Sequence, residues 1–129
     1  MYEYNARLIK VVDGDTIDVC LDMGLRIFRE ERLRLADINA PERYRPGGHE
    51  ATQHLLKLLI GSDPERMKNP TIRVKTGKTG KYGRWIAWVY VGDQTKSVND
   101  MMIEDGHAKI YGEKYPSGDS HDQSPGKKA

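Results

Sequence analysis

A chain of 129 residues, 37% hydrophobic and 31% charged, is enough for one globular domain with a self-sufficient core. Its one cysteine, Cys20, excludes an intrachain disulfide framework or a cysteine-based zinc site. No apolar run approaches the ~18 residues of a membrane span, so no membrane partner is expected. The net charge of +2 argues little, but its placement argues more. Residues 66 to 84 hold seven bases and no acid, whereas residues 93 to 129 hold seven acids and five bases. The basic stretch suits a phosphate-facing stripe or, equally, a solvated loop. The first residues lack a charged-then-apolar leader, which predicts a cytoplasmic chain unless such a segment precedes this numbering.

In chain order, residues 4–12 are rich in β-formers and predict a strand, and Asp13-Gly14 marks a hairpin turn. Residues 16–23 alternate. Ile17, Val19, Leu21 and Met23 share one face, and Thr16, Asp18, Cys20 and Asp22 share the other, as in a half-buried strand. Residues 25–36, with Leu25, Ile27, Leu33 and Leu35, predict a third strand bent near Glu30-Glu31. Pro41 and Pro46-Gly47-Gly48 break the sheet. Residues 49–60 then place Ala51, Leu55, Leu58 and Leu59 at helical spacing, with Gly61 as the stop. A polar loop follows over 62–70, a short strand over 71–76, and a Gly/Lys loop over 77–83. The strongest strand signal is 84–91, with an extended piece at 95–98 beyond Gly92-Asp93. Asn99 is placed as the cap of a short helix closed by Gly106, and 108–111 is a last extended piece. Residues 113–129 are Pro-, Gly- and Ser-rich without Val, Leu or Ile, which predicts a flexible polar tail beyond a domain of residues 1–112.

Three strands, a helix, a closing pair and a small helix describe a mainly β (α+β) chain. They suit a five-stranded Greek-key barrel of the OB-fold type, whose face and loops bind nucleic acids. A small α+β sandwich fits the same periodicity.

Four features carry chemistry: Asp13-Gly14-Asp15-Thr16, the run from Arg34 to Glu42, Lys81-Tyr82-Gly83-Arg84, and Gly106-His107-Ala108-Lys109-Ile110-Tyr111. Each has an ordinary structural explanation when taken alone, such as a turn, an ion pair or a stacked arginine. Together they supply what phosphodiester hydrolysis needs. A hard cation wants oxygen ligands. A glutamate can take a proton from water, and two guanidinium forks can hold the charge gathered on the phosphoryl oxygens. The histidines His49, His54, His107 and His121 show no zinc spacing.

The motifs Val12–Thr16, Arg34–Glu42 and Lys81–Arg84, in this order and spacing, resemble the staphylococcal nuclease (thermonuclease) family from about residue 5 to 111. The resemblance implies an OB-fold, calcium-dependent nuclease that cleaves DNA and RNA to 3′-phosphates, here expected to be a monomer. It implies Asp15, Asn39 and the Ala40 carbonyl as metal ligands and Glu42 as the general base. Arg34 and Arg84 are implied as the phosphate-holding cations, with Lys81, Tyr82 and, less closely matched, Tyr111 lining the nucleotide site. Oxygen ligands also suit Mg²⁺ and Mn²⁺. Asn39 is a departure, standing where the family places an aspartate. The site then has one less formal charge, so weaker metal binding is expected. Asp37, two residues earlier in an extended strand, is positioned to compensate. The departure also leaves open a rival, a non-catalytic nucleic-acid-binding OB module.

Overall fold

The computed structural model describes residues 2–79 and 84–111. Strand β1 (Tyr2–Asp13) turns through Gly14-Asp15 into β2 (Thr16–Asp22), and β3 (Phe28–Leu35) returns alongside it. Strand β4 (Ile38–Asn39) and helix α1 (Gly48–Ile60) follow, then a short helix α2 (Pro64–Lys68). The chain continues through β5 (Thr71–Thr79), β6 (Trp85–Tyr90), α3 (Val98–Glu104) and β7 (Lys109–Ile110). The five long strands close in the order β1-β2-β3-β6-β5, with β4 and β7 forming a separate two-stranded sheet. This is the expected OB-fold barrel and not a sandwich. Strand β1 is bulged between Leu8 and Lys10 and between Val11 and Asp13, so one strand pairs with both β2 and β5.

The barrel is filled by the inward residues of each strand: Ile17 and Val19, Leu33 and Leu35, Val74, and Ala87 and Val89. Helix α1 buries Ala51, Leu55 and Leu59 against this core, and α3 adds Val98 and Met102. Leu58, expected on the buried stripe, is half-buried at its margin. His54 on α1 lies 2.7 Å from an Asp105 carboxylate oxygen and stacks on His107 at 4.3 Å, joining α1 to the end of α3.

Several boundaries differ from expectation. The third strand starts at Phe28 and not at 25, because Gly24, Leu25 and Arg26 all take left-handed backbone angles. That turn leaves Leu25 94% exposed, and Met23 lies past the end of β2 instead of in the core. Residues 62–70 contain α2, whose start is capped by the Asp63 side chain accepting the Glu65 N–H. Strand β5 extends through Thr79, into the expected loop. Residues 95–97 bend directly into α3 without forming a strand. The N-cap of α3 is Ser97, which accepts the Asp100 N–H, and not Asn99. Asn99 is buried within the first turn, as the second residue of the helix. Its amide accepts the Val89 N–H and donates to the Ala36 and Ala87 carbonyls. The expected tail over 113–129 lies outside the described residues.

Candidate active site

The β1–β2 hairpin puts Asp15 at one mouth of the barrel. Gly14 is needed there for closeness. A Cβ on it would sit 2.7 Å from the Ala40 Cβ and 2.8 Å from the Ala51 Cβ, so the hairpin tip packs directly against the loop and α1. The Asp15 carbonyl accepts the Leu35 N–H, tying the tip to the end of β3. The residue is only 7% exposed. Its Oδ1 accepts the Thr16 hydroxyl at 3.0 Å, and its Oδ2 accepts the Ala40 N–H at 2.9 Å.

Arg34 stands beside it. It pairs with Thr16 on one side and with Ile86 on the other, so it spans the junction of β2, β3 and β6. It is only 9% exposed. One guanidinium nitrogen donates to the Leu35 and Ile38 carbonyls at 3.0 and 2.9 Å. The other faces Asp15 Oδ2 at 3.6 Å and Asn39 Oδ1 at 3.5 Å. The guanidinium also lies over the Tyr111 ring, 5.5 Å from its centroid. Asp15, Arg34, Asn39, Ala40 and Tyr111 thus form one cluster.

Burial dominates the electrostatics of Asp15 and raises its carboxyl from 3.8 to about 6. The Arg34 charge and the Ala40 N–H pull the other way without cancelling the loss of solvent. A buried carboxylate this short of compensating charge is a place where a cation would be favoured. The donors present are oxygens, the Asp15 carboxylate and the Asn39 amide, with the Ala40 carbonyl as the third ligand that the resemblance implies. Each carboxylate oxygen has lone-pair capacity left beyond its one hydrogen bond. This donor set fits a hard divalent ion in kind, with one formal negative charge. Among the described residues, no group of three or more His, Cys, Asp or Glu side chains could hold a metal.

Glu42 follows two residues after Ala40 and points outward. Its side chain is 78% exposed and lies 3.8 Å from the Arg45 guanidinium. Its backbone is fixed from the helix side, because a Cβ on Gly48 would land 1.6 Å from the Glu42 carbonyl oxygen. Arg84 is exposed, immediately before β6, and Trp85 of that strand is in register with Leu33, next to Arg34. Among the described residues, Glu42 and Arg84 are therefore close to the cluster along the chain, both with exposed side chains. Lys81 and Tyr82 lie outside the described residues. Asp37 has a left-handed backbone (φ 65°), so the period-two argument that put it on the face of Asn39 does not apply.

Lys109 is a neighbour that the sequence reading did not assign. It is in register with Asn39 across the β4–β7 pair, while the Tyr111 N–H donates to the Asp37 carbonyl. The short Ala108–Tyr111 stretch was legible as extended. Its partner was not, because two residues carry no pairing signal.

Comparison with known proteins shows the family of the chain. Residues 32–127 match the family model described as staphylococcal nuclease homologue. A micrococcal nuclease from Shigella flexneri is 30% identical over 116 residues, covering 84% of this chain and 59% of that protein. Protein ParB from Escherichia coli is 30% identical over 114 residues (84% and 58%). An uncharacterized endonuclease from Escherichia coli O157:H7 is 33% identical over 109 residues (84% and 62%). The chain spans about three-fifths of the length of these relatives. With a barrel of the matching topology and a family model covering most of its length, this chain belongs to the staphylococcal nuclease family.

Proposed function

We propose that the chain is a calcium-dependent phosphodiesterase that cleaves DNA or RNA and leaves 3′-phosphates. The observation that carries this reading is the buried contact between Asp15 and Arg34 at the mouth that also gathers Asn39, Ala40 and Tyr111. A structural ion pair alone does not need a carboxyl raised to about 6 by burial. The nuclease names of the micrococcal and uncharacterized relatives support the same class.

Asp15, the Asn39 amide and the Ala40 carbonyl would hold the ion. When bound, Ca²⁺ (or Mg²⁺ or Mn²⁺) supplies positive charge beside the scissile phosphate. Arg34, fixed by two backbone carbonyls, binds a phosphoryl oxygen with no side-chain reorganisation. Arg84 closes on the phosphate from the start of β6. Glu42 removes a proton from water as that water attacks phosphorus, and the P–O5′ bond breaks. The 5′ oxygen leaves and takes up a proton, and the 3′ side keeps the phosphate. Tyr111, with Lys81 and Tyr82, stacks on and orients the nucleotide.

One observation favours a second reading, a binding module without catalysis. Asn39 stands where a second carboxylate is expected, and its amide oxygen faces the Arg34 guanidinium. Incubating single-stranded DNA with the protein in Ca²⁺, with and without chelator, separates the two. Cleavage should require the ion and fall by roughly 10²–10³-fold in Glu42→Gln and in Arg84→Ala. Cleavage that persists in chelator, or is unchanged in Glu42→Gln, would falsify the hydrolytic mechanism. Binding without cleavage in any metal selects the module.

A further inference from the structure

The basic stretch at 66–84 is only partly explained by the site, since Arg73 and Lys75 lie on β5, away from Asp15 and Arg34. Ile72, Val74 and Thr76 face the core, so Arg73 and Lys75 are on the outer face of the barrel. On β6, Ala87 and Val89 face inward, leaving Ile86, Trp88 and Tyr90 outside. The register joins the two sets. Arg73 is opposite Tyr90, and Lys75 is opposite Trp88. Base and aromatic alternate across the ribbon.

The side chains are arranged as a platform. The Lys75 ammonium lies 5.3 Å from the Tyr90 ring centroid, and the Arg73 guanidinium lies 5.2 Å from it. Gly77 leaves room for the Trp88 indole, because a Cβ there would come within 3.3 Å of the ring. Arg73 donates to the Gly92 and Gln94 carbonyls and pairs with Glu3, which fixes the loop beyond β6. A groove of about 450 Å³ follows, lined by Arg73, Lys75, Tyr90, Asp93, Gln94 and Thr95. Glu3 and Asp93 are the acids beside it, and Glu3 is neutralised by Arg73.

This platform is continuous with the candidate active site. Ile86 is in register with Arg34, and both lie on the outer side of the barrel. From Ile86, the outer residues Trp88 and Tyr90 follow at two-residue steps, about 13 Å in all at the usual strand rise. We infer that the outer face of β5–β6, built on Lys75, Trp88 and Tyr90, is a second binding track for single-stranded nucleic acid, leading away from the scissile phosphate. The half-buried rings of Trp88 and Tyr90 offer stacking surface to successive nucleobases without regard to sequence, and the Arg73 and Lys75 cations neutralise the phosphates, as in other single-strand sites on OB-folds. The inference rests on the proposed function for the direction of the track but not for its existence.

The test uses the full chain in chelator, so that binding is read without cleavage, with labelled oligothymidylates as a trinucleotide and a dodecamer. Lys75→Glu and Trp88→Leu should each weaken dodecamer binding by about 10-fold and change trinucleotide binding far less. Lys75→Gln, a surface change that leaves the core untouched, should reduce the salt slope of dodecamer binding by about 0.7, and Lys75→Arg should restore it. Trp85→Phe leaves Trp88 as the sole tryptophan, whose fluorescence the dodecamer should quench. Unchanged dodecamer affinity and slope, equal loss for both lengths, or absence of quenching each overturns the track. Quenching of Trp88 by polyglutamate but not by the dodecamer also overturns it, and assigns the face to an acidic peptide. If the wild type binds with this length dependence but cleaves nothing in Ca²⁺, the hydrolytic reading fails and the track stands.

Discussion

Asp15 is the residue on which the site turns, and its chemistry yields a pH prediction. The folded carboxyl keeps its proton to about pH 6, whereas the unfolded chain releases it near 3.8. Between those values the folded state binds more protons, so this group's contribution to stability is present at low pH and is lost as the pH rises through 6. About two units correspond to roughly 3 kcal/mol at most. In chelator, Asp15→Asn should therefore match the wild type near pH 4 and exceed it in stability by up to about that amount at pH 7, read from urea denaturation. Calcium should narrow the gap by favouring the wild-type carboxylate. A gap that is constant with pH would show that burial does not hold the proton. The same residue marks the limit of sequence reading. Asp15, Arg34, Asn39 and Ala40 were legible as partners because the motifs containing them resemble a known pattern. That the Arg34 guanidinium lies between Asp15 and Asn39 was not, because side-chain rotamers leave no trace in spacing. Asp37 misled for a related reason. A single left-handed residue breaks the strand period on which its placement relied.

At the scale of elements, α3 is held to the barrel by the apolar packing of Val98 and Met102 and by the buried amide of Asn99. Asn99 satisfies the Val89 N–H and the Ala36 and Ala87 carbonyls, which lie at and beyond the end of the β3–β6 pairing. It does there what another strand would do for a sheet edge. Asn99→Ala removes three buried hydrogen bonds and leaves their backbone partners without solvent, so we expect a loss of about 2–4 kcal/mol in urea unfolding, with the fold intact. A loss below about 1 kcal/mol would mean that water replaces the amide. The sequence placed this asparagine as a helix cap because Asn is a strong capping residue and the helix does begin there. Ser97 takes that part, and the buried position of Asn99 follows from a contact made more than sixty residues away, with Ala36. The long, strongly alternating strands and α1 were readable because burial on one face imposes a period. The β4–β7 pair and α2 were not, being too short to show one.

The barrel as a whole closes on its least extensive seam. Strands β3 and β6 pair in parallel over Leu33–Leu35 alone, whereas β2 and β3 pair along the whole length of β2. That seam carries Arg34 on one side and leads from Arg84 on the other, so the two phosphate-holding cations of the proposed mechanism are joined across the shortest pairing of the barrel. Opening it need not disturb the packing of α1 on β1. Native-state hydrogen exchange should therefore find the Ala36 amide, bonded to the Ala87 carbonyl, and the Val89 amide, bonded to Asn99, exchanging through a partial opening at lower free energy than Val19 in the core. A nucleotide bound with calcium bridges both sides of the seam and should raise protection there selectively, since it binds the closed form alone. If Ala36, Val89 and Val19 instead exchange at one common free energy, the barrel opens only by global unfolding, and the spacing of Arg34 and Arg84 is as permanent as the core itself.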